Sequence, residues 1–143
     1  MRRLLMASLF ALFASILTLA ARSGPLLLQS PTLSKTQIAF AFGGDIWIVN
    51  RAGGDAQRLV TGSGILSRPI FSPDGTMIAY TGNYEGNDDV YVVAATGGEP
   101  RRLTYHPASD VAVGWTNDGK SILFRTTRSS YSRFERLYTV PAT

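Results

Sequence analysis

The chain offers few side chains that could carry out covalent chemistry. Its 143 residues include one histidine, His106, and no cysteine. A serine triad needs a histidine held between a hydroxyl and a carboxylate, and a cysteine nucleophile is excluded outright. His106 precedes Pro107 in a predicted loop, which favours a structural role, and the two lysines, Lys35 and Lys120, fall in loop or turn sequence. We therefore predict no catalytic residues in this chain and, with one histidine and no cysteine, no zinc site.

An acidic loop spans residues 83–89, with the sequence Asn-Tyr-Glu-Gly-Asn-Asp-Asp. Calcium loops place oxygen donors at every second position and a glycine at the sixth. The 83–89 loop does not follow that spacing, so a hairpin turn rich in Asn and Asp is the favoured interpretation. No metal or other cofactor is predicted.

Four arginines lie close together near the end of the sequence, interleaved with Tyr131 and Phe134: Arg125, Arg128, Arg133 and Arg136. They could form a patch that binds an anionic ligand, or the solvated face of a hairpin between two outer strands. The hairpin is the favoured interpretation, and the role of this cluster stays open.

The elements that would position these residues are short β-strands. Residues 68–104 contain four candidate strands separated by turn sequences, at 68–71, 77–81, 90–94 and 100–104. Ser72-Pro73-Asp74-Gly75 joins the first two, because Pro73 presets a turn φ and Gly75 accepts a positive φ. Thr96-Gly97-Gly98 joins the last two. The stretch is therefore predicted to be one antiparallel sheet with local connections.

This unit recurs at an offset of about 40 to 47 residues. Ile78-Ala79-Tyr80 is matched by Ile38-Ala39-Phe40 and Ile122-Leu123-Phe124, and the aromatic residues Trp47, Tyr91 and Tyr138 share one register that predicts packing between sheets. Four-stranded units at a period in the forties are typical of a β-propeller, whereas a β-sandwich keeps no such period. We predict an all-β fold, a partial β-propeller of about two and a half four-stranded blades over 35–143, with repeat units at 35–61, 68–104 and 112–143.

The third repeat lacks its fourth strand, and propellers close with about four to eight blades. Open blade faces invite association. The expected partners are therefore the remainder of a longer parent chain or identical subunits.

The amino terminus has the pattern of a secretory signal peptide, predicted over 1–23. Arg2-Arg3 precedes a charge-free run, and Ala21-Arg22-Ser23 offers a cleavage site. An uncleaved membrane anchor is the alternative, because the run approaches spanning length. Residues 24–34 are expected to be a linker or a strand that closes the ring. We expect an exported, periplasmic protein without stable membrane insertion after cleavage.

Loss of the signal peptide would also change the charge. The formal net charge of the whole chain is +4, but Lys plus Arg falls from 14 to 11 against 10 acidic residues when 1–23 is removed. The remaining net charge of about +1 gives no indication of a nucleic-acid partner.

Several longer strings resemble known propellers. Phe71-Ser72-Pro73-Asp74-Gly75 and Asp89-Val90-Tyr91-Val92-Val93 look like the TolB-type repeat. The strings Thr81-Gly82-Asn83-Tyr84-Glu85-Gly86-Asn87, Leu103-Thr104-Tyr105-His106-Pro107 and Ser130-Tyr131-Ser132-Arg133-Phe134 resemble, more narrowly, the amino-terminal propeller of tricorn-type serine peptidases. The likeness covers roughly residues 33–143.

The resemblance implies a large peptidase with two propellers, a PDZ-like domain and a carboxy-terminal catalytic domain. Its catalytic residues lie outside the propellers, so none is carried onto this chain. The propellers of that family are thought to gate the passage of peptides. The function expected from the resemblance is an exported, non-catalytic propeller segment that gates peptide access or supports assembly; the alternative is a TolB-like periplasmic interaction module.

Overall fold

A computed structural model describes residues 27–129 and 134–143, and the described chain consists of β-strands and turns. The first sheet contains β1 (Gln29–Leu33), β2 (Gln37–Phe42), β3 (Asp45–Asn50) and β4 (Gln57–Val60). The second contains β5 (Ile65–Phe71), β6 (Met77–Asn83), β7 (Asp88–Ala94) and β8 (Arg101–Arg102). The third contains β9 (Asp110–Trp115), β10 (Ser121–Thr126) and β11 (Arg136–Pro141). All pairings are antiparallel between neighbours in the chain, which confirms the predicted all-β fold.

The turn between β5 and β6 explains why the second sheet forms where it does. Gly75 has φ +76°, and its backbone N–H donates to the Ser72 carbonyl at 2.8 Å. The Ser72 hydroxyl donates to the Asp74 carboxylate at 2.6 Å and accepts from the Met77 N–H at 2.9 Å. The Ser72 side chain therefore provides a hydrogen-bond partner for a backbone N–H group at the chain reversal.

The third sheet repeats this turn with different residues. Gly119 has φ +67°, and the Thr116 hydroxyl donates to Asp118 at 2.6 Å. The positive φ predicted at Gly75 is confirmed, and Gly119 takes the same conformation at the corresponding turn.

The register of the three sheets is the same. In each, an aromatic residue of the second strand lies directly opposite an aromatic residue of the third strand, in the pairs Phe40–Trp47, Tyr80–Tyr91 and Phe124–Tyr138. Because a slip of one residue would turn every side chain to the other face, a shared register means that corresponding residues face corresponding surfaces.

The hydrophobic core lies between the stacked sheets. Ile78 and Tyr80 of β6 pack towards the first sheet, whereas Ala79 between them packs towards the third. Strand β7 alternates in the same way, with Val93 in the first cluster and Val92 in the second. The second sheet is therefore buried on both faces, which explains why β6 and β7 read as nearly continuous apolar runs.

The amino-terminal segment contributes a strand to the first sheet. Gln29–Leu33, within the segment 24–34 expected to be a linker or a ring-closing strand, forms β1 and pairs with β2 of the first sheet. The fourth strand of the second sheet is shorter than the predicted 100–104. The signal peptide predicted over 1–23 lies outside the described residues, and none of the described residues form a helix long and apolar enough to cross a membrane.

Candidate functional site

The inner strands of the three sheets carry the same irregularity. Strands β1, β5 and β9 come first in their sheets, and β5 contacts both of the others. Two residues bulge opposite one aromatic residue of the next strand in each sheet: Ser30-Pro31 opposite Phe40, Arg68-Pro69 opposite Tyr80, and Ala112-Val113 opposite Phe124. Inner strands line the central channel of a propeller. The bulges therefore shape one continuous channel-side surface.

The bulges together line a shallow depression of about 280 Å³. Ser30 and Arg68 adopt left-handed backbone conformations there, with φ +49° and +52°. Such conformations are uncommon for residues other than glycine and cluster at functional sites. Arg68 and Val113 are exposed, whereas Pro69 is buried. We take this depression, the inner-strand site, as the candidate functional site.

The predicted loop histidine is not part of a triad in the described chain. The His106 Nδ1 accepts a hydrogen bond from the Ala108 N–H at 3.0 Å, and its backbone carbonyl accepts from Asn87 Nδ2 at 2.9 Å. Both contacts hold the loop after β8, so the geometry around His106 fits the structural role favoured from the sequence.

Residues of the acidic loop 83–89 form hydrogen bonds with one another. Asn83 Nδ2 donates to Asp88 at 2.9 Å, and the Gly86 N–H donates to Asn83 Oδ1 at 3.0 Å. No group of three or more potential metal ligands is assembled among residues 27–129 and 134–143. These contacts are those of a hairpin turn.

Asp89 is the last residue of that loop, and its side chain is buried. Both oxygens of its carboxylate accept hydrogen bonds. Its carboxylate accepts from Arg102 Nη2 at 2.6 Å and from the Thr104 hydroxyl at 3.1 Å. Thr104 in turn accepts from the Val90 N–H at 3.0 Å. The arrangement ties the end of the fourth strand to the third, and sequence reasoning missed it because the partners are 13 and 15 residues apart.

The arginine cluster is divided among separate contacts. Arg125 pairs with Glu135, and Arg128 pairs with the fully buried Asp110 of β9. The Arg128 guanidinium also lies over the Phe124 ring, 4.9 Å from its centre. Arg136 is exposed on β11, and Arg133 lies outside the described residues. Two of the arginines therefore serve local ion pairs.

Four of the aromatic residues at the shared register pack in the core between sheets: Tyr80, Tyr91, Phe124 and Tyr138. Tyr80 and Tyr91 are stacked with ring centres 5.5 Å apart, and the Tyr80 and Tyr84 hydroxyls are 3.1 Å apart. Burial raises the pKa of both Tyr80 and Tyr91, so neither phenol is an acid or base near neutral pH. Tyr91 and Tyr138 thus take the predicted packing role between sheets, whereas Trp47 packs against Phe42 and Arg58 of its own sheet.

Gly62, Ser63 and Gly64 in the connection between the first two sheets have a role that the sequence did not indicate. A methyl group at Gly62 would lie 2.8 Å from Tyr84 Cε1, and one at Gly64 would overlap the Asn83 carbonyl. The connection can pass this close to the β6–β7 hairpin because Gly62 and Gly64 have no side chains at the two points of contact.

Stacked antiparallel sheets of three or four strands, with a shared register and an inner-strand channel surface, place the described chain in the β-propeller class. The crystal structure of the tricorn protease has the same fold, with a TM-score of 0.71 over 81% of this chain and 24% identity. TolB from Acinetobacter baumannii matches over 80% of this chain with a TM-score of 0.66 and 20% identity, a likeness of fold alone.

Within this class, the chain belongs to the family of the tricorn protease N-terminal beta propeller domain, whose model matches residues 25–143. Tricorn protease homolog 1 of Streptomyces coelicolor is 32% identical over 127 residues, or 85% of this chain. A protein of Sulfurisphaera tokodaii with the provisional name Tricorn-like protease N-terminal subunit is 25% identical over 115 residues, or 77% of this chain. The matched parts make up 12% of the Streptomyces protein and 58% of the Sulfurisphaera protein.

Proposed function

We propose that this chain is an exported, non-catalytic propeller segment of a tricorn-like serine peptidase, and that peptides contact its inner strands on their way to or from a catalytic domain. The observation that carries the proposal is the family match over residues 25–143, because the described fold is that of the amino-terminal propeller of proteins several times longer. The shared bulges support it, since they shape the surface along which a peptide would pass.

The exposed face of the third sheet supports association with further blades, either of a parent chain or of an identical subunit. Val90 of the second sheet is completely buried against the third sheet. Leu137 holds the corresponding position in the third sheet, one residue before Tyr138, and is 66% exposed. An apolar face that is covered in one repeat and open in the next is a surface on which another blade would stack.

An affinity-tagged chain produced in its native host tests the proposal. We expect the tagged protein in the exported fraction, together with a separate or longer polypeptide that a fluorophosphonate probe labels at its active serine. The 143-residue chain itself should remain unlabelled and should leave fluorogenic peptides uncut. Labelling of this chain would contradict the non-catalytic role.

A pair of variants distinguishes specific association through the open face of the third sheet from non-specific recovery of the peptidase with the tagged chain. Leu137→Asp should abolish recovery of the labelled peptidase, because it places a charge on the open face. Leu27→Asp should not, because Leu27 is 79% exposed and precedes the first strand. Recovery of envelope proteins without any labelled peptidase would instead favour the TolB-like interaction module.

A further inference from the structure

We propose that the inner-strand site binds acidic side chains of peptides, and that the Arg68 guanidinium is the group that contacts the carboxylate. This inference rests on the proposed contact between peptides and the inner strands, and it specifies the chemistry of the peptides that are held there.

The charge of the inner strands points to an anionic ligand. Strands β1, β5 and β9 contain two charged residues, Arg68 and Asp110. Asp110 is fully buried and paired with Arg128, whereas Arg68 is exposed. Arg68 is therefore the one exposed charge that these three described strands present to the channel side. A guanidinium that has no acidic partner among the described residues and lies on a concave surface favours carboxylate ligands, which it can bind through two parallel hydrogen bonds.

Arg68 is the charged member of a bulge position whose left-handed backbone recurs, since Ser30 has φ +49° at the equivalent position of the first sheet. A left-handed φ of +52° would suit glycine, and Pro69 restricts the preceding residue further. The corresponding bulge positions hold Ser30 in the first sheet and Ala112 in the third, both uncharged. The bulge is thus compatible with small residues, and one of the three repeats places a long cation there.

The surroundings of Arg68 fit a peptide better than a small inorganic anion. Pro31, Ile70 and Val113 give the depression an apolar lining, and Ser30 adds a hydroxyl. An acidic residue with apolar neighbours in a peptide would place its carboxylate at Arg68 and its neighbours against this lining. A free phosphate ion would leave the lining uncovered.

Fluorescence anisotropy with two labelled hexapeptides tests the inference on the 143-residue chain. Both peptides are acetylated and amidated, and they differ by one central residue, Glu or Gln. We expect the Glu peptide to bind about fivefold more tightly at low ionic strength, as an exposed ion pair allows, and this preference to disappear at high salt. A third peptide, with Gln and a free carboxy terminus, should bind no more tightly than its amidated form if side chains are the ligands.

Variants at Arg68 separate binding from folding. Arg68→Gln should remove the preference for Glu, whereas Arg101→Gln, which removes the same charge from the outer strand β8, should keep it. Arg68→Gly should also remove the preference, and because glycine suits the left-handed φ, its melting temperature should not fall. Three results would overturn the inference and leave the proposed contact between peptides and inner strands intact. These are a preference for Glu that survives Arg68→Gln, equal binding of the Glu and Gln peptides, and a preference for the free carboxy terminus. If neither peptide binds, both the inference and the proposed contact between peptides and inner strands fail.

Discussion

Replacing Gly64 by alanine should destabilise the chain where the first sheet connects to the second. The added methyl group would overlap the Asn83 carbonyl oxygen and lie 2.9 Å from both the Asn83 carbonyl carbon and Tyr84 Cα. Backbone atoms cannot rotate away as a flexible side chain can, so the connection must move outward. That movement would disturb the Ile65–Asn83 strand pair and the hydroxyl contact between Tyr80 and Tyr84.

The expected magnitude follows from the cost of overpacking. Inserting a methyl group into a filled site costs about 2–3 kcal/mol of unfolding free energy when the neighbours cannot repack. For a domain of about this size, such a loss lowers the melting temperature by about 8–15 °C. Thermal unfolding monitored by tryptophan fluorescence suits the measurement, because Trp47 and Trp115 lie in the first and third sheets.

Gly114→Ala provides the matched control. Gly114 lies in strand β9, its φ, like that of Gly64, is not positive, and a methyl group there would meet no atom within 4 Å. Its melting temperature should be unchanged or slightly higher, because alanine loses less backbone entropy on folding. Melting temperatures within about 2 °C of each other for the two variants would refute the steric argument.

Three further predictions concern charge and processing. Asp89→Asn should lower the free energy of unfolding in urea by about 2 kcal/mol, because it removes the charged partner of Arg102 from a buried site. Asp45→Asn should lower it by less than about 1 kcal/mol, because the partner of Asp45, Arg58, is mostly exposed. Similar losses for the two variants would contradict this ranking. Hydrogen bonds from Ser72 and Thr116 lower the pKa of Asp74 and Asp118 below 3.8, so their contribution is fully present above that pH and is lost as the pH falls below it. The melting temperature of the Asp74→Asn, Asp118→Asn double variant should therefore fall less steeply than that of the wild type below about pH 4, and parallel profiles would refute the assignment. The intact mass of exported protein should lack residues 1–23, and a full-length mass in the membrane fraction would contradict signal cleavage.

The repeat pattern was predictable because it depends on local sequence. Gly75 and Gly119 indicate turns whose remaining residues are their immediate neighbours in the sequence. The apolar triplet that ends at Tyr80 recurs at the corresponding position of the other two sheets. Strand β1 was not recognised as part of the first sheet, since Gln29–Leu33 is short, polar at its start and interrupted by Pro31.

The candidate site was harder to predict because it depends on how separate repeats meet. The bulges at Arg68-Pro69 and Ala112-Val113 have no common residue type, and only the strand register shows that they correspond. The ion pair of Arg128 with Asp110 joins residues 18 positions apart, which the pairing of β9 with β10 brings together. Proline in the middle of strands β1 and β5 was the one available signal, because proline within a sheet is confined to edges and bulges.

The burial of the second sheet on both faces has a consequence for how the molecule opens. In a stacked array each repeat is stabilised by its neighbours, so the cooperative unit is the interface rather than the single sheet. The outer sheets each rely on one such interface among the described residues, whereas β6 and β7 take part in two. Local opening should therefore begin at the ends and reach the amides of β6 and β7 last, which leaves the middle sheet as the template on which the outer sheets refold.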